Sequence, residues 1–267
     1  MSKANSYILC STIHDPEFKL KKLLKSTLPI IKNLFSLKII CCTSPSIEFS
    51  QFFEKHEDFI ILTTSSLRQV DTYKTALKTT IKNIPNPNLR TQKIFYIDFD
   101  RLIHWVNSYP EELKDVLRKG TDDVEYLHIG RSDRAFDTHP STQKKTEQLI
   151  NKICSKVLGF SKIKDFISVC YIFTGNLGEK VLKLNNSTNS GFYGLWPIIL
   201  WINASEKRYV EVEGLEWETP DRFPDEINKI GYNTWIEQFQ NKNEWKKRIR
   251  FIDDFLFELF DNFELKL

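Results

Sequence analysis

The chain lacks the marks of several specialised classes. Its five cysteines, Cys10, Cys41, Cys42, Cys154 and Cys170, are an odd number and fall in apolar segments. They show neither CxxC nor zinc-finger spacing, so they read as reduced, buried thiols of a cytoplasmic protein. No run approaches the roughly 18 apolar residues that cross a bilayer. The polar start Met1 to Asn5 and the brief apolar run after it are too short for a secretory signal. A soluble protein without a transmembrane segment is expected. With 38 basic and 35 acidic side chains in 267 residues, the net charge is only +3. That balance argues against a dedicated nucleic-acid binder, and no nucleic-acid partner is expected. His14, His56, His104 and His128 give no HExxH spacing, and Gly175-Asn176-Leu177-Gly178 lacks the Lys-Ser/Thr of a phosphate loop. Neither a GxSxG elbow nor a kinase signature occurs.

What is present is alternation. Tyr7 to Ile13, Leu37 to Thr43, Phe59 to Thr63 and Lys93 to Asp98 read as strands, apolar on both faces. Between them lie helical patterns: the leucine stripe from Leu20 to Leu34, a short helix through Phe49, Phe52 and Phe53, and Val70 to Ile84. Strands alternating with helices imply βαβ units and a mainly parallel sheet. The second half is less regular. Val124 to Ile129 and Phe166 to Phe173 are strand-like, Arg131 to His139 reads as a charged loop, and Pro140 opens a helix to about Leu158 that Gly159 stops. Thr174-Gly175-Asn176 reads as the end of a strand, Gly191 to Trp201 as an apolar segment, and Val210 to Val212 as the lead into a glutamate cluster. A C-terminal stripe runs through Trp245, Ile249, Ile252, Leu256, Leu259 and Phe263; extra phenylalanines broaden it and leave a homodimer contact open. Without repeats or linkers, one domain over 1–267 is expected, with a nucleotide-binding half (1–107) and an acceptor half with the C-terminal helix (108–267).

The most informative position is the end of the fourth strand, Asp98-Phe99-Asp100-Arg101. Open α/β sheets bind ligands at the carboxyl ends of their strands. In an extended segment residues two apart project to the same side, so both carboxylates can reach one hard cation such as Mg²⁺ or Mn²⁺. In the competing reading Asp98 caps the following helix and Asp100 pairs with Arg101 or another base.

In order and pattern, the segment from about Ser6 to Trp105 resembles the nucleotide-binding half of GT-A fold glycosyltransferases, with a looser continuation to about Asp221. The resemblance implies a GT-A-like (Rossmann-like) α/β fold and metal-dependent transfer of a sugar from a nucleoside-diphosphate sugar to an acceptor. It implies that Ser11, Thr12, His14 and Asp15 approach the base, and that Arg68, Asp71 and Lys74 lie near base and phosphates. Asp98 and Asp100 would hold ribose and a Mn²⁺ or Mg²⁺ ion bridging the diphosphate. Arg101 directly after the second aspartate is not part of the general motif.

Two further groups carry possible chemistry. Arg131-Ser132-Asp133-Arg134 to His139-Pro140 places two arginines and a histidine before a helix start. Arg131 and Arg134 suit a diphosphate through their forked donors, and His139 is a candidate third metal ligand; the plain alternative is a solvated salt-bridge loop. Glu213, Glu216 and Glu218 follow, with Glu216, between Gly214 and Trp217, the leading candidate for a general base on an acceptor hydroxyl. Trp196, Trp201 and Trp217 offer flat faces to sugars. Nucleotidyl transfer, or a non-catalytic sugar-binding or scaffold protein on the same fold, are the rival functions.

Overall fold

The computed structural model describes residues 7–66, 68–119, 123–185, 187 and 189–262. Phe263 of the C-terminal stripe and the polar start Met1 to Asn5 lie outside them. Seven strands form one sheet: β1 (Tyr7–Ile13), β2 (Leu37–Thr43), β3 (Phe59–Thr64), β4 (Lys93–Asp98), β5 (Tyr126–Arg131), β6 (Cys170–Thr174) and β7 (Lys207–Val212). Their order is β3-β2-β1-β4-β6-β5-β7. Only β6 runs antiparallel, against both β4 and β5. The expected α/β class, a mainly parallel sheet flanked by helices, is thus formed.

The apolar runs explain the layering. Helices α1 (Lys21–Leu34), α2 (Ile47–Phe53), α4 (Phe99–Ser108) and α5 (Pro110–Lys119) cover one face. Helices α3 (Gln69–Lys82), α8 (Gly175–Leu184) and α9 (Phe192–Asn203) cover the other. All seven residues of β1 are buried, as a strand roofed on both sides requires. The chain steps outward from β1 to β2 and β3, then α3 carries it back past β1 to β4. The order therefore reverses between β1 and β4, and an open α/β sheet has its ligand crevice outside the carboxyl ends of such a pair.

Several local expectations change. The segment from Arg131 to His139 contains a one-turn helix, α6 (Asp133–Asp137), because Ser132 Oγ accepts from the Ala135 N–H at 3.1 Å. Pro140 takes the N-cap position of α7 (Ser141–Val157) rather than its first turn. Of Phe166 to Phe173, the ladder begins only at Cys170; the Asn151 side chain instead accepts from the N–H groups of Phe166 and Ile167. Helix α8 starts at Gly175, directly after β6, where a Cβ would stand 2.9 Å from Leu89 Cδ2. The apolar segment around Trp196 is helix α9, and Trp196 and Trp201 pack in the core rather than facing a ligand.

Beyond α10 (Pro224–Ile230) and α11 (Tyr232–Ile236), α12 (Lys242–Asn262) turns Phe251, Ile252, Phe255 and Leu259 onto α7 and α9. Ile249, expected in that seam, is exposed. Among the described residues no helix is long and apolar enough to cross a membrane.

Candidate functional site

Two clefts meet at the carboxyl edge of the sheet. The smaller, about 270 Å³, lies at the β1–β4 reversal and is lined by Thr12, His14, Thr72, Asp98, Asp100 and Arg222 among others. The larger, about 710 Å³, runs from Asp98 and Arg101 past Trp217 and Glu218 to Arg248 on α12. Asp98 lines both.

Asp98 ends β4 and stands at the N-cap position of α4, yet makes no capping bond. Its Oδ1 instead accepts from Tyr73 Oη at 2.6 Å and Thr12 Oγ1 at 3.0 Å. Burial pushes this carboxyl up to about 6; the Arg101 charge opposes that, the Asp100 charge adds to it, and the two hydroxyl donors oppose it. Burial and the Asp98 charge keep Tyr73 protonated as a donor.

Phe99 and Asp100 are already helical, so the extended geometry expected for the pair is replaced by a strand-to-helix corner. Both carboxylates still reach one cleft. Asp100 Oδ1 accepts from the Arg101 N–H at 2.9 Å, and Oδ2 pairs with Arg222 Nη2 at 2.6 Å. Burial works against its charge, but Arg222 and Arg101 hold its carboxyl below the ordinary range.

Arg101 points into the larger cleft, donating to the Ser168 carbonyl and lying 3.5 Å from Glu218. Val169, the next residue along, also lines that cleft and holds φ at +56°, which a β-branched residue rarely adopts. Strain of that kind tends to gather at binding sites.

Other expected residues are not brought here. Arg131 is fully buried behind the cleft, its Nε and Nη2 paired with Asp165 at 2.6 and 2.9 Å and Nη2 with Glu147 at 2.7 Å. Arg134, half exposed, binds Glu213, Glu216 (2.6 Å) and the Tyr109 hydroxyl (2.9 Å). Neither lines a cleft. His139 is buried with Nδ1 3.2 Å from the Ala135 carbonyl, and Nε2 has no hydrogen-bond partner. Burial, then the Arg131 and Arg101 charges, keep that imidazole neutral and its affinity for protons well below normal. His139 lines neither cleft, and among the described residues it forms no metal-holding group with Asp98 and Asp100.

Asp15 turns inward to accept from the N–H groups of Lys19 and Leu20, both at 3.0 Å. Ser11 donates to the Ile97 carbonyl within the sheet. Arg68 and Asp71 pair with each other at the start of α3, and Lys74 donates to the Ser187 carbonyl. Helix α3 lines the smaller cleft through Gln69, Thr72 and Tyr73 instead.

Glu216 is likewise committed elsewhere, with Oε1 3.1 Å from His104 Nε2 and Oε2 on Arg134. His104 Nδ1 lies 2.8 Å from Asp221. The segment from Glu216 to Arg222 is therefore strapped across α4 by Glu216–His104, Asp221–His104, Glu218–Arg101 and Arg222–Asp100. Gly214, which precedes the strap, is needed for close approach: a Cβ there would stand 1.8 Å from the Trp105 indole. Of this glutamate cluster it is Glu218 that reaches the larger cleft, buried, its Oε2 without a hydrogen-bond partner among the described residues. Trp217 beside it lines the same cleft.

Among the described residues no three His, Cys, Asp or Glu side chains gather to hold a metal. Two carboxylates on one cleft still match what Mg²⁺ or Mn²⁺ takes from a protein when phosphates and water supply the other oxygens. Asp98 and Asp100 fit that donor set, with Asp100 already neutralised by an arginine.

No protein-family model and no curated protein matches the chain. Solved structures do. Glucosyl-3-phosphoglycerate synthase from M. tuberculosis aligns at 11% identity and a TM-score of 0.46, over 78% of this chain and 71% of that one. The same enzyme in complex with Mn²⁺, UDP-glucose and glycerol 3-phosphate gives 9% and 0.42, over 78% and 70%. Its UDP complex gives 10% and 0.41 over 65% of this chain, which there spans 58% of the enzyme's length. Identities this low leave the activity to be argued from the residues themselves.

Proposed function

We propose that this chain is a metal-dependent glycosyltransferase that binds a nucleoside-diphosphate sugar at the β1–β4 crevice and passes the sugar to an acceptor in the larger cleft. The observation that carries this reading is Asp98: one carboxylate at the carboxyl end of a central strand, at the strand-order reversal, shared by two clefts. Thr12, His14 and Thr72 would face the nucleoside. Asp98 and Asp100 would hold Mn²⁺ or Mg²⁺, which when bound neutralises the charge that builds on the departing diphosphate. Arg101, lining the larger cleft beside Asp98, would supply positive charge at the same point. Glu218, rather than Glu216, would take a proton from an acceptor hydroxyl, and Trp217 would offer a flat apolar face beside it; both line the larger cleft. Against nucleotidyl transfer, the turn after β1 is closed by Asp15 and carries no basic, glycine-rich loop.

A thermal-shift panel of UDP-, GDP-, ADP- and dTDP-sugars, with and without Mn²⁺, tests the reading. A ligand that binds only the native state raises its stability. One donor should raise Tm only with the metal, and Asp98→Asn should remove that rise. In the parent, product analysis should show sugar transfer, and Glu218→Gln should keep donor binding while turnover falls roughly 10²–10⁴-fold. A flat panel would defeat the proposal.

A further inference from the structure

We infer that Arg222 is an internal cation: its guanidinium competes with a divalent ion for Asp100 and must leave that carboxylate before an ion can bind it. The inference rests on the metal-dependent reading above. Both oxygens of Asp100 are engaged, Oδ1 by the Arg101 N–H and Oδ2 by Arg222 at 2.6 Å. The pair is largely withdrawn from water, the side chains being 14% and 16% exposed. An ion approaching Asp100 from the smaller cleft therefore competes with a guanidinium already in place.

Arg222 is also held in a way that permits departure. Among the described residues its hydrogen bonding apart from Asp100 is one long contact to the His14 carbonyl at 3.5 Å, and its buried Nε has no hydrogen-bond partner. It closes a 3₁₀ turn, Thr219–Arg222, in which no residue is buried. That turn is tied to α4 by ion pairs at His104 and Asp100 rather than by apolar packing. Contacts of this kind can exchange without opening the core, whereas packed apolar contacts cannot. Arginine suits the place because its charge is permanent and its fork matches a carboxylate.

The test is isothermal titration of Mn²⁺ alone, without nucleotide, into the parent, Arg222→Gln and Arg222→Lys at one ionic strength. The Gln variant should bind Mn²⁺ about tenfold more tightly, the order expected when a partly buried ion pair no longer competes. The Lys variant, still charged, should stay nearer the parent. A Gln variant that binds no tighter overturns the inference. Amide exchange in the parent gives a measurement that needs no variant: residues 219–223 should exchange faster once Mn²⁺ is added, and unchanged exchange overturns it as well. Nucleotide binding by the parent is read separately. If the parent takes nucleotide with Mn²⁺ while Arg222→Gln leaves ion affinity unchanged, only the role of Arg222 falls. If the parent takes no nucleotide at all, the functional reading falls, and the ion titration still decides Arg222.

Discussion

Two ion-pair networks start from Arg131 and Arg134, and they draw on the same residue types in opposite circumstances. In one, Arg131, Asp165, Glu147 and Asn151 lock β5 to α7 out of contact with water. In the other, Arg134, Glu216, His104 and Asp221 strap a loop to α4 at the half-open surface. Arg131 and Arg134 are three residues apart, yet one side chain is 0% and the other 50% exposed. A charge sealed from water depends on its partner, while an exposed pair is screened and contributes little. The buried network should therefore set stability, and the open one should set only how the strap sits over the cleft.

The comparison breaks most visibly at Asp165. Its carboxylate takes the Arg131 backbone N–H, two guanidinium bonds and the Asn151 amide. Burial opposes its charge, but Arg131 holds its carboxyl far below the usual range. Asp165→Ala leaves Arg131 buried and half-paired, and should cost ~3–5 kcal/mol in denaturant unfolding. A loss below about 1 kcal/mol would mean the two networks are not energetically different.

Much of this architecture is readable in the sequence. The bounds of β1 and β2 follow directly from their apolar runs, and the end of β4 at Asp98 follows from the first polar residue after one. Pairing among charged residues is not readable in this way, because it depends on how strands and loops meet in space. Nothing local separates Glu216 from Glu218, yet one faces His104 and the other the cleft. For Arg131 a signal did exist. Ser132-Asp133 is an N-cap pattern, which ends the strand at Arg131 and places Arg134 on a separate helical turn with a different outlook.

His104 gives the next, smaller effect, and it depends on pH. Burial disfavours its charge, but hydrogen bonds to Asp221 and Glu216 and the charge of Glu218 leave its pKa raised. A folded-state value above the unfolded ~6.5 stabilises the protein fully below that pH, and the gain is lost as pH rises through the folded value. His104→Asn should thus cost roughly 1–2 kcal/mol near pH 6 and less near pH 9, the scale of hydrogen bonds to charged groups. Equal losses at both pH values would show that the imidazole holds the strap without its charge.

The smallest effect is expected at Arg134. Its side chain is half in water and its partner Glu213 is 38% exposed, so screening and side-chain entropy offset most of the attraction. Arg134→Ala should change unfolding free energy by about 1 kcal/mol or less. Because Arg134 lines neither cleft, Arg134→Lys should leave the affinity for a nucleotide sugar with Mn²⁺ at the parent's value, although a lysine cannot reproduce the arginine fork. Arg131→Lys differs in kind: its buried partners lose paired donors, so it should lower stability and alter binding only through that loss. Titration and unfolding on the two Lys variants together decide the matter. If Arg134→Lys weakened donor binding with unfolding unchanged, Arg134 would have to leave Glu216 and reach the donor. The strap would then be a moving part of the donor site, and its ion pairs would have to part when the donor binds.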